Sequence, residues 1–242
     1  MIDALEPTPP PKEPQIEIHK PKAVHSWREF LKEYAIIVLG VATALAAEQA
    51  VEWWHWQGEV QAARGALRAE MSAITNYYGR RVAIASCVDH KLDTVAALLA
   101  HAAAGQQPDT GSINFTGLGA PLYDSEWQSE RASQALTHFP RQELAVMSAF
   151  YGQATDMHDW NLEEARAWTG LAVLQDAAQK LGPADLAQLR QSYHLARRFQ
   201  NAIVLNAGRQ IAVAAQLGLQ PAALTPAQIA NSCNSVSERA KF

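Results

Sequence analysis

The stretch Trp27–Trp56, WREFLKEYAIIVLGVATALAAEQAVEWWHW, limits this chain more than any other feature of it. No side chain from Ala35 to Ala47 is charged, and both flanks are aromatic, with Trp27, Phe30 and Tyr34 before and Trp53, Trp54 and Trp56 after. Tyr34 to Trp54 is 21 residues, and about 20 helical residues rising about 1.5 Å each cross the hydrocarbon of a bilayer. Trp and Tyr collect at the two membrane interfaces, so Trp27, Tyr34, Trp53, Trp54 and Trp56 read as interface anchors of a single transmembrane helix.

Glu48 makes that helix unusual. It lies five residues inside Trp53, roughly 8 Å below that interface at the helical rise. A carboxylate there must reach water, be protonated or find a partner. Gly40, Ala44, Glu48 and Glu52 follow one another at i+4 and share a face, and Ala47 borders it. Small residues let another helix approach closely, and a polar group beside them hydrogen-bonds across the contact. Glu48 therefore reads as a snorkelling residue, as part of a docking face with Gly40, Ala44 and Ala47, or as one step of an ion path.

A secretory signal would also place small residues, Ala44-Leu45-Ala46, after an apolar run. About 33 residues precede this run, too many for an ordinary signal, so an uncleaved anchor is expected. Residues 14–33 hold Lys20, Lys22, Arg28 and Lys32, whereas 55–74 hold only Arg64 and Arg68. The positive-inside rule then predicts a cytoplasmic N-terminus and a main domain outside, in a periplasm if the cell is Gram-negative.

The chain in order supports an all-α fold. Residues 1–26 form a Pro-rich tail with too little apolar surface to fold alone. Residues 57–242 are long enough for one helical domain with a real core. No proline falls between Trp27 and Gly105, so helix is expected to continue, with a bend near Gly58, Gly65 or Gly79. Apolar residues recur at heptad spacing in two rows, Val60, Leu67, Ile74, Val88, Val95, Ala102 and Met71, Tyr78, Ala85, Leu92, Leu99, broken only by Arg81 and Arg64. Residues 105–124 interrupt the pattern; their apolar side chains predict a loop laid over the helices, with a partner-binding loop as the alternative. Further helices are predicted from Glu126 to about His138, Arg141 to Leu181, Ala184 to about Leu217 and Pro226 to about Arg239.

Chemistry is harder to find. From Gln57 onward there are 15 Lys and Arg against 16 Asp and Glu, which leaves no basic field for nucleic acid. Glu52-Trp53-Trp54-His55 is a single Glu-x-x-His where a di-metal bundle needs two, so no metal and no cofactor is expected. His158, Asp159, Glu163 and Glu164 read as a solvated helix face, and Arg80-Arg81 and Arg197-Arg198 as solvated pairs. Gly117-Leu118-Gly119 stops short of a dinucleotide-binding pattern. No catalytic constellation is visible, and an enzyme is not expected. The two cysteines, Cys87 and Cys233, would sit outside the cytoplasm on the first and last extramembrane helices, which predicts a disulfide; two buried free thiols are the alternative.

The run Trp27 to Gln49, and more faintly Leu67-Arg68-Ala69-Glu70 and Cys87, resembles an uncharacterised group of proteobacterial single-span membrane proteins sharing an EY-x-IIVLGV-x-x-AL-x-x-EQ anchor. The resemblance implies a bacterial source and brings no catalytic residue. Taken together, an accessory or assembly subunit of a larger bacterial membrane complex is expected, bound through the span to an integral-membrane partner or to itself. A periplasmic helical-bundle sensor signalling through a partner is the alternative.

Overall fold

The computed structural model describes residues 26–106, 109–110, 113–115, 117–119, 122–175 and 181–237. The Pro-rich tail, apart from Ser26, lies outside them. Six α-helices are present among the described residues: α1 Trp27–Ala83, α2 Ala85–Ala103, α3 Ser125–Ala132, α4 Arg141–Leu171, α5 Pro183–Gln216 and α6 Pro226–Ser237. Two 3₁₀ turns, Ala135–His138 and Ala172–Gln175, complete the order, and no extended strand occurs among the described residues. The chain divides into two units, residues 1–53 and residues 54–242.

In the first unit every residue from Ser26 to Trp53 is exposed. Helix α1 carries the apolar run there, with mean hydropathy 1.7 and none of it buried. Among the described residues, α1 alone is long and apolar enough to cross a membrane.

The second unit is a helical bundle whose longest packing is between α4 and α5, with α5 also against α2 and α2 against α6. Two apolar clusters make its core. One joins Val60, Leu67, Met71, Ile74 and Tyr78 of α1 to Met147, Phe150, Tyr151, Ala154 and Met157 of α4 and to Ile203, Ala207 and Ala214 of α5. The other joins Val88, Leu92, Val95 and Leu99 of α2 to Ala167, Trp168 and Leu171 of α4 and to Leu189 and Ala196 of α5. The heptad rows are thus the buried face of α1 and α2, because a 3.5-residue repeat keeps one side of a helix against its neighbours. The first half of α4 meets the second half of α5 around α1, and the reverse halves meet around α2.

Several boundaries differ from expectation. The helix leaving Trp54 breaks once, at Ile84 (φ −99°, ψ 7°), and not at a glycine. Gly79 instead gives Pro221 room: a Cβ on it would sit 2.5 Å from the proline Cβ. The helix expected from Glu126 to His138 is split, because Ser133 turns extended and its hydroxyl bonds the carbonyl of Glu130 (3.2 Å). The N-cap residue of α3 makes no side-chain cap bond. Asp124 holds the cap position, and the Glu70 carboxylate, reaching from α1, accepts from Glu126 N (3.0 Å) and Trp127 N (3.2 Å). Helix α4 ends at Leu171, ten residues before the expected Leu181, in a 3₁₀ turn. At α5, the Asp185 carboxylate accepts from Gly182 N (2.8 Å), and Gly218 closes the helix at φ 72°. Thr225 and Gln228 cap α6 reciprocally, Thr225 N to Gln228 Oε1 at 2.8 Å and Gln228 N to Thr225 Oγ1 at 3.3 Å.

Of the 105–124 loop, Phe115 and Leu122 are buried, Ile113 and Leu118 half-buried and Tyr123 69% exposed. Two of its described glycines, Gly117 and Gly119, press on α4. A Cβ on Gly117 would lie 2.6 Å from Ala165 Cα, and one on Gly119 would lie 2.9 Å from the Asn161 carbonyl. Gly117-Leu118-Gly119 is therefore a backbone-to-helix contact that side chains would block.

Candidate functional site

The residues of the predicted docking face, Gly40, Ala44, Ala47 and Glu48, are all exposed on the first-unit segment of α1. No atom comes within 4 Å of a Cβ built on Gly40. Bulk surrounds them, with Ile36, Ile37 and Leu39 70%, 65% and 68% exposed. Thr43 satisfies its hydroxyl locally by donating to Leu39 O (2.7 Å), as hydroxyls in apolar helices do. The expected anchors separate into two kinds. Trp27, Tyr34, Trp53 and Trp54 are exposed, Trp27 stacking on Phe30 (5.4 Å between centroids) and Phe30 on Tyr34 (6.2 Å). Trp56 is half-buried and stacks on His138 at 4.0 Å, so it belongs to the packing of the bundle.

The second grouping is one that sequence reasoning missed. Arg81 and Glu164 are 2% and 0% exposed. They form a two-pronged ion pair, Nη1 to Oε2 and Nη2 to Oε1, both 2.9 Å. Gln200 of α5 joins them, its Oε1 accepting from Arg81 Nη2 (2.8 Å) while its Nε2 donates to the Ala85 carbonyl (3.4 Å). The three residues come from α1, α4 and α5 and fall between the two apolar clusters, at the level where α1 gives way to α2. Burial works against the Arg81 charge, but Glu164 outweighs it, so the guanidinium pKa is raised.

Lys91, four residues after Cys87 on α2, is 3% exposed and holds its ammonium 3.8 Å from the centroid of the Trp168 ring. Burial pushes its pKa down to about 8, only partly offset by the Glu164 charge. One turn before Arg81, Tyr77 donates to Asn161 Oδ1 at 2.6 Å, and the neighbouring Tyr78, fully buried, has its hydroxyl pushed up by burial. Reading Glu164 with His158, Asp159 and Glu163 as one solvated face was wrong: Glu164 points the other way, into the core. Arg81 likewise leaves the solvated Arg80-Arg81 pair, and only Arg80 is exposed. The usable signal was Arg81 itself, a charge at a core position of the heptad row.

Cys87 and Cys233 are joined by a disulfide linking α2 to α6, with Cα atoms 5.6 Å apart. An open cleft of about 300 Å³ lies among Leu122, Tyr123, Asp124, Ala154, Thr155 and His158. His158 Nδ1 there accepts from Leu122 N at 3.4 Å. No group of three His, Cys, Asp or Glu side chains gathers in a metal-holding arrangement among the described residues. Both prongs of the buried pair are matched, while Arg81 Nε is buried with no hydrogen-bond partner among the described residues, and the pair can set the register of the helices. The Gly40–Glu48 face is exposed along its whole length. No protein-family model, no curated protein and no solved structure matches this chain.

Proposed function

We propose that the protein is an accessory or assembly subunit of a larger bacterial inner-membrane complex, anchored by one span whose Gly40–Ala44–Ala47–Glu48 face docks on a partner helix. The N-terminal tail lies in the cytoplasm and the helical bundle in the periplasm. The observation that carries this reading is the complete exposure of Ser26–Trp53, whose apolar run has mean hydropathy 1.7. No described residue covers this apolar surface, which far exceeds what a water-soluble monomer leaves open. A bilayer satisfies it, and the shallow surface at Gly40 beside a carboxylate is the part of the helix best suited to close packing.

Purification in mild detergent followed by mass spectrometry tests the proposal: an integral-membrane protein is recovered in fixed ratio with the wild-type chain. Recovery of the chain alone, as a monomer, removes the subunit reading. The cleft beside His158 supports the alternative, a ligand-sensing bundle. A small molecule that raises the melting temperature of the chain recovered alone, with the shift abolished by Ala154→Trp in the cleft, would decide for it.

A further inference from the structure

We infer that Cys87–Cys233 is a redox-controlled latch on the C-terminal helix, which a dithiol reductant opens to release α6 from the bundle.

The packing of α6 is the first ground. From Pro226 to Asn234 no residue is buried, and only Ile229, Ser232 and Cys233 are even half-covered. Every other α-helix of the second unit sends at least one buried side chain into a core cluster. A helix of 12 residues is too short to persist in water by its own hydrogen bonds. It packs against α2, and the covalent part of that contact is the disulfide.

The second ground is where the preceding chain is fastened. Pro221 fits against Gly79 so closely that a Cβ there would overlap it, and Ala222 N donates to Asn76 Oδ1 at 2.7 Å. These contacts pin the chain to α1 through Ala222. After them, Ala223 and Thr225 are exposed and Leu224 is half-buried. A hinge at 223–225 would let α6 leave while α1 to α5 keep their packing. Both cysteines are half-buried, so a reductant reaches a sulfur without the core opening.

The step balances as a thiol–disulfide exchange. One thiolate of a dithiol attacks a sulfur of the bridge, giving a mixed disulfide and one free cysteine thiolate. The second thiol of the reductant then displaces the other cysteine. The reductant leaves as a disulfide, and Cys87 and Cys233 each end as a thiol. Two electrons and two protons pass from the dithiol to the bridge.

Hydrogen exchange on the full-length protein in mild detergent, before and after dithiothreitol, reads the latch directly. Reduction should speed exchange across 226–237 about tenfold or more while α4 and α5 keep their protection. The double variant Cys87→Ser, Cys233→Ser should show the same pattern without reductant. Unchanged exchange over 226–237 after confirmed reduction overturns the inference, since packing alone would then hold α6. Loss of protection in every helix together overturns it as well, since the bridge would then be a staple of the whole bundle.

Discussion

At the scale of single residues, the bundle is organised by a charge pair buried between two apolar layers. Breaking such a pair leaves one ion without a partner in a medium that cannot solvate it. Glu164→Ala should therefore lower the unfolding free energy by about 3–5 kcal/mol, read by chemical denaturation. Replacing both partners, Arg81→Met with Glu164→Leu, should recover most of that loss, because the desolvation of two ions disappears along with their attraction. Lys91 gives a prediction of opposite sign. Its folded-state pKa of about 8 lies below the ordinary 10.5. Between those values the unfolded chain binds more protons, so stability rises as pH climbs from about 8 to about 10.5 and is lowest, and level, below that window. Lys91→Met should stabilise the protein at pH 7 by up to about 3 kcal/mol, less whatever the Trp168 ring returns to the ammonium. The advantage should vanish near pH 11, and a constant difference across the window would dismiss Lys91 as its source. Arg81 was legible as an anomaly in its heptad row, but its partner was not. Glu164 stands 83 positions away, among residues that do face water, and only the phase of α4 against α1 turns it inward.

At the scale of elements, the face that each helix buries could be read from its period, while its ends could not. The heptad rows of α1 and α2 match their buried residues nearly one for one. Ends are set by contacts from elsewhere: Glu70 on the first turn of α3, Ser133 at its last, Pro221 beside Gly79. Glycines show the same division. Gly117→Ala should cost on the order of 1–3 kcal/mol, because the new methyl meets Ala165 Cα at 2.6 Å. Gly65→Ala, with nothing within 4 Å, should instead stabilise α1 by up to about 1 kcal/mol. Thermal denaturation of the two variants separates the cases, and equal effects would mean that the loop does not press on α4. In the span, Gly40→Leu should abolish recovery of the partner and Glu48→Leu should weaken it by about 0.6–2 kcal/mol. Glu48→Gln should leave it nearly unchanged if hydrogen bonding outweighs charge. Unaltered co-purification of all three, with the protein still inserted, would make the span a plain anchor.

At the scale of the whole molecule, an apolar helix segment left exposed by the described residues belongs to the same chain as a bundle with a two-cluster core and a bridging disulfide. The sequence alone speaks to the first and third of these. Segregation of the core into two clusters around one ion pair depends on which halves of α4 and α5 meet, and no local pattern encodes that. Bilayer, orientation and oxidising compartment form one proposal: four basic residues before the apolar run against two after it favour a tail inside, which puts the disulfide outside. Protease added to intact spheroplasts, with an epitope on the N-terminus, tests that claim most directly. The bundle should be digested, and a membrane-embedded fragment should keep the epitope. Loss of the epitope with the bundle intact, or release of the whole chain in soluble form, would contradict it.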